Sequence, residues 1–68
     1  MINEVIFEVK ESLDGGYEAQ ALGYSIFTEG EDIEDLKSNI KESILAHFED
    51  DLPSLVRLHI IKDEILEI

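Results

Sequence analysis

From Asn3 to Val9 apolar and polar side chains alternate, with Val5, Phe7 and Val9 on one side and Glu4, Ile6 and Glu8 on the other. A period of two is that of a strand with one buried face, so residues 3–9 are expected to open the fold as a strand. The alternation stops at Leu13-Asp14-Gly15-Gly16 and resumes at Tyr17. Asp-Gly and Gly-Gly between alternating segments signal a hairpin, because glycine accepts the positive φ of a tight turn. A second strand is expected over residues 17–22, with Tyr17, Ala19 and Ala21 facing one way. Gly23 interrupts it, and residues 24–28 read as a short third strand with Ile26 and Phe27 on opposite faces.

The period then lengthens. Ile33, Leu36, Ile40, Ile44 and Phe48 recur at spacings of three and four, an apolar stripe along a helix of about 18 residues, or roughly 27 Å. Asp32 is placed to cap it, with Asp35 three residues on, and acidic residues crowd the first turn where the helix dipole favours them. Ala19 and Ala21 are small, which leaves space above the sheet for this helix to fill. Glu49-Asp50-Asp51 and Pro53 end it; the acids oppose the dipole there and His47 offsets them in part. Residues 55–61 form the last strand, with Val56, Leu58 and Ile60 on one face, and Lys62-Asp63-Glu64 separates it from an apolar tail, Ile65-Leu66-Glu67-Ile68.

The predicted order is β-β-β-α-β, an α+β fold in one domain spanning residues 1–68. It has a single mixed sheet with one helix packed on one face. The helix crosses over so that the last strand lies parallel to the first. The other face of the sheet is expected to carry Ile6, Leu22, Leu55 and Ile61 among Glu4, Glu8, Glu18, Arg57 and His59. Such a face is too apolar to stand bare and too charged for a core, which predicts a homo-oligomer, a dimer or tetramer. A chain of 68 residues also gains from association, since chains of about 60 residues bury only roughly 60% of their unfolded surface.

Charge narrows the partners. Seventeen acidic against five basic residues give a formal net charge of −12, so direct nucleic-acid binding is not expected, because it rests on Lys and Arg displacing counterions. Anionic membrane surfaces are disfavoured for the same reason, whereas a small basic protein would be attracted and steered. The chain has no cysteine, which removes disulfides and thiolate zinc sites. Its N-terminus, MINEVIFEVKE, is unlike a signal peptide, and no apolar run approaches the roughly 18 residues that span a bilayer. A soluble, cytoplasmic protein is expected.

Candidate chemistry is sparse. His47 and His59 are the only histidines and form no H-E-x-x-H pair; a helix-terminal role suits His47, and pairing with a neighbouring strand's carboxylate suits His59. Glu49, Asp50 and Asp51 lack the spacing and central glycine of an EF-hand loop. Gly15-Gly16 lacks the lysine of a phosphate loop and reads as a turn. Tyr17, Tyr24 and Phe27 are expected to form a small aromatic group that fills core or interface. No catalytic, cofactor-binding or metal residue is assigned, and a non-enzymatic role is expected.

The run D-G-G-Y-x-A at Asp14–Ala19, followed by a short strand and by T-E-G-E-D-I-E-D-L-K-x-N-I-K-E-S-I at Thr28–Ile44, resembles the N-terminal domain of HicB-type antitoxins and the small stand-alone proteins that share its fold. The resemblance covers nearly the whole chain, with Asn39-Ile40 and Glu42 in matching places. It implies a partly degraded ribonuclease H-like unit that dimerises or tetramerises. It also implies a toxin partner, a small basic ribonuclease, and no catalytic residues of its own. The family's C-terminal helix-turn-helix or ribbon-helix-helix segment has no counterpart up to Ile68, so operator binding is not expected of these residues. The family's proline-bearing segment before the helix, with its Gly-Cys pair, is replaced by Ala21-Leu22-Gly23-Tyr24-Ser25-Ile26, where the resemblance implies nothing about toxin recognition. The function expected is a protein-interaction module neutralising a small basic partner; the alternative is an orphan structural homo-oligomer.

Overall fold

The N-terminal alternation becomes β1, Glu4–Glu11, in the computed structural model, which describes residues 3–68. Val5, Phe7 and Val9 are fully buried, as the period of two requires. The chain reverses through Leu13-Asp14-Gly15, closed by the Ser12 N–H donating to the Gly16 carbonyl at 2.9 Å, and returns as β2, Tyr17–Ala21. Gly15 and Gly16 both take positive φ, 86° and 82°, which explains the glycine pair that marked this turn in the sequence. β3 covers Phe27–Gly30, α1 Ile33–Phe48 and β4 Leu55–Ile61. The sheet order is β3-β2-β1-β4, with β1 antiparallel to β2 and parallel to β4. The predicted β-β-β-α-β order and mixed sheet are therefore those observed.

The third strand starts later than its apolar pattern suggested. Gly23 adopts φ 81° and the Ala21 N–H reaches the Ile26 carbonyl at 3.0 Å, so residues 22–26 form a connecting turn. Tyr24, expected in the strand, instead packs edge-on against Phe48 and His47 at ring-centroid distances of 5.0 and 5.9 Å. Ile26 is buried while Phe27 is 63% exposed, so the expected division of these two residues between faces holds. The expected grouping of Tyr17, Tyr24 and Phe27 does not form: Tyr17 and Tyr24 pack against the core, and Phe27 stands on the opposite face.

The helix begins where its cap dictates. The Asp35 N–H donates to Asp32 Oδ1 at 2.7 Å, and Asp35 Oδ2 accepts from the Glu31 N–H at 2.9 Å, a reciprocal arrangement that satisfies two donors at the helix start. Leu36, Ile40 and Ile44 are buried against Val5, Phe7, Val9, Ala19, Ala21 and Ile26. Each large member of this core contributes roughly 1.5–3 kcal/mol by leaving water. The helix stops at Glu49, which takes φ 46° and donates its N–H to the Leu45 carbonyl at 3.3 Å. A positive φ is uncommon for a residue with a side chain.

The helix packs on one face, as expected, and covers only part of it. Its backbone comes within 8 Å (Cα–Cα) of β2 and β3, and of neither β1 nor β4. Val56 and Leu58 are therefore only half-buried and Ile60 is 50% exposed, although all three point to the inner face as predicted. The cause lies at Gly30. A Cβ built there would sit 2.5 Å from the Leu36 backbone nitrogen, so the absence of a side chain draws α1 down onto β3 and away from β4. The side-chain amide of Asn39 fixes the same approach by donating to the Glu29 carbonyl at 2.7 Å.

Candidate interaction surfaces

The close approach of three backbones shapes the first surface. A Cβ on Gly16 would meet the Gly30 carbonyl oxygen at 2.8 Å, so the hairpin tip leans on β3 as closely as β3 leans on the helix. Around this junction lies a groove of about 700 Å³. Asp14 and Glu18 from the hairpin, Glu29 and Glu31 from β3 and its exit, and Asp35 from the helix all line it, with Tyr17 and Asn39. Among the described residues no Lys or Arg lines it. Glu18 and Glu29 are direct cross-strand partners, an unfavourable pairing of like charges, and Lys10 lies across from Glu18 on its other side. The groove can thus hold a Lys or Arg side chain among several exposed carboxylates.

Sequence reasoning missed this convergence, reading Gly15-Gly16 as a turn alone. The signal was present in the carboxylates flanking each glycine turn, D-G-G-Y-E and T-E-G-E-D. Only the register, with Tyr17 opposite Gly30, brings the two runs side by side.

The second surface is the outer face of the sheet. Cross-strand register sets it out in rows: Leu55 beside Glu4; Arg57 beside Ile6; His59, Glu8, Gln20 and Phe27; and Ile61, Lys10, Glu18 and Glu29. The mixture of apolar and charged residues is the one expected. Phe27 and Leu55 are exposed, and Leu22 extends the apolar part beyond Ile6. Arg57 forks onto Glu4, Nε to Oε1 at 3.1 Å and Nη2 to Oε2 at 3.0 Å. The hydrogen bonds from Arg57 hold the Glu4 carboxyl below the usual carboxylate range, and the same bonds raise the Arg57 guanidinium. His59 lies opposite Glu8, where a carboxylate neighbour was anticipated.

The remaining sequence candidates stay apart. His47 sits in the last helical turn, edge-on to Phe48 at 4.8 Å, on a different element from His59 in β4. Among the described residues no three of His, Asp or Glu are grouped to hold a metal ion, and no polar or charged side chain is buried. Among the same residues no helix is long and apolar enough to cross a membrane.

Two curated proteins are similar over most of this length. One, named UPF0150 protein, from Thermotoga maritima, is 40% identical over 60 residues, 88% of this chain and 86% of its own. Another of the same name, from Archaeoglobus fulgidus, is 49% identical over 49 residues, 72% of this chain and 73% of its own. No protein-family model matches the chain. No solved structure matches it either.

Proposed function

The chain belongs to the UPF0150 family, and we propose that it works as a non-enzymatic, HicB-like interaction module that neutralises a small basic protein in the manner of an antitoxin. One observation carries this reading: the two runs that resemble HicB-type antitoxins, Asp14–Ala19 and Thr28–Ile44, supply nearly all the residues that line the acidic groove. Five carboxylates from three elements line it, and Lys10 stands beside Glu18 across the β1–β2 pair. A net charge of −12 would steer a basic partner toward it. The non-enzymatic part draws support from the want of any fully buried ionisable side chain among the described residues, since catalytic groups are tuned by burial and convergence.

The test is capture from native lysate with the full chain as bait, followed by elution with salt. A basic partner released as ionic strength rises is the expected result. The double variant Glu29→Lys, Glu31→Lys should abolish its capture. Recovery of the bait alone at low salt, or unchanged capture by the variant, would refute the reading.

A second reading is a structural homo-oligomer, dimer or tetramer, favoured by Ile6, Leu22, Phe27, Leu55 and Ile61 on the outer face. Light scattering decides it: a monomeric mass at micromolar concentration removes it.

A further inference from the structure

Beyond Ile61 the chain leaves the sheet. Residues 62–68 form no strand, helix or turn, and Ile65, Leu66 and Ile68 are 96%, 87% and 119% exposed. The molecule measures 51 × 19 × 18 Å with a radius of gyration of 13.3 Å, above the roughly 11 Å of a compact chain of this length. The tail projects instead of folding back. Lys62-Asp63-Glu64 contains no glycine for a tight reversal.

A matching vacancy in apolar cover lies on the inner face, where α1 stands off β4. The groove there measures about 710 Å³, with Ile44, Val56 and Leu58 along it and Lys37 and Lys41 among its lining residues. These lysines are two of the chain's five basic residues. Lys37 is held only by an exposed pair with Glu34 at 3.6 Å, which exchanges partners at little cost. The tail offers the complement: Ile65, Leu66 and Ile68 interleaved with Glu64 and Glu67.

We propose that residues 65–68 of one copy dock in the α1–β4 groove of a second copy. Leu66 and Ile68 cover Val56 and Leu58, and Glu64 and Glu67 turn toward Lys37 and Lys41. Exchange is reciprocal, so two tails fill two grooves and the assembly closes on a two-fold axis. The chain's own tail is a poorer occupant. Residues 65–68 stand exposed beyond the sheet, and Lys62-Asp63-Glu64 offers no glycine for the reversal that would bring them back onto their own groove. A basic peptide is a poorer occupant too, because it would face Lys37 and Lys41. The proposal relies on the homo-oligomer reading for the presence of a second copy alone; the surface is a different one.

The test mixes ¹⁵N-labelled and unlabelled full-length chains, each with a photo-crosslinking residue replacing Leu66, and maps crosslinks by mass spectrometry. Heavy–light links from the tail to the 52–58 segment or to the 37–45 stretch of the helix are expected. Links confined to one isotope mean that the tail covers its own groove, which overturns the proposal. Heavy–light links landing on Ile6 or Phe27 overturn it while leaving a homo-oligomer standing, and a monomeric mass without links overturns both. Charge exchange gives a second readout. Lys37→Glu with Lys41→Glu should weaken self-association about tenfold or more, and Glu64→Lys with Glu67→Lys in the same chain should restore it. All four positions are exposed, so circular dichroism should show an unchanged fold. Absence of rescue would refute the pairing.

Discussion

The two halves of the sheet's inner face are built from similar strands and end in opposite conditions. Over β2 and β3 the inner face includes Ala19, Ala21 and Gly30 beside Tyr17 and Thr28, and α1 rests almost on the backbone at Gly30, with Leu36 and Ile40 fully covered. Over β4 the side chains are Val56, Leu58 and Ile60, larger and more apolar, yet Val56 and Leu58 are only partly covered and Ile60 is 50% exposed. Burial here follows the height at which the helix can sit, and small residues set that height. The more hydrophobic half is the more exposed one.

The largest effect should come from the residue that both halves share. Phe7→Ala removes a fully buried ring and should cost about 3–5 kcal/mol in urea unfolding. Gly30→Ala tests the tight half directly: its new methyl meets Leu36 backbone at 2.5 Å, and overpacking of this kind costs about 1–3 kcal/mol. On the open half Leu58→Ala should cost only about 1 kcal/mol, because its transfer from water is incomplete. If Leu58→Ala proves as costly as Gly30→Ala, the contrast between the halves is wrong. Asp32→Ala, which removes the cap that starts the helix, should cost a similar ~1 kcal/mol and raise amide exchange at Asp35.

The smallest effect concerns acid. Glu4 has a lowered pKa in the folded protein because Arg57 donates two hydrogen bonds to it. A depressed carboxyl stabilises the fold fully above the ordinary carboxylate range of about 4 and loses that contribution as pH falls through the folded value. Both side chains lie at the surface, so the stability change is slight. An NMR titration should still place Glu4 below the ordinary glutamate value of about 4.3, and Arg57→Gln should return it toward that value.

Local signals in the chain were decisive where local chemistry decides. Asp32 and the stripe from Ile33 to Phe48 located the helix to its ends, because capping and period are properties of neighbouring residues. Val5, Phe7 and Val9 identified the core strand for the same reason. Tyr24 misled, since its alternation with Ile26 looked like a strand while its ring was needed against Phe48, four turns away along the helix. Gly30 carried no sequence signal of its importance, as a contact between β3 and the helix backbone depends on how the elements are assembled. The acidic groove was hidden likewise: Glu18 and Glu29 lie eleven positions apart in the chain and become neighbours only through strand register.

Gly16, Gly30 and the Leu36 backbone stand in near contact without any side chain between them. Main chain spaces these three elements, so no rotamer can adjust the gap. The points from which the groove's carboxylates extend are thereby fixed ahead of any encounter. A ligand would order only the outer ends of those side chains, and the entropy lost on association would be correspondingly small. The hairpin tip and helix start also become mechanically linked, so a load on Asp14 should be felt at the amide of Leu36.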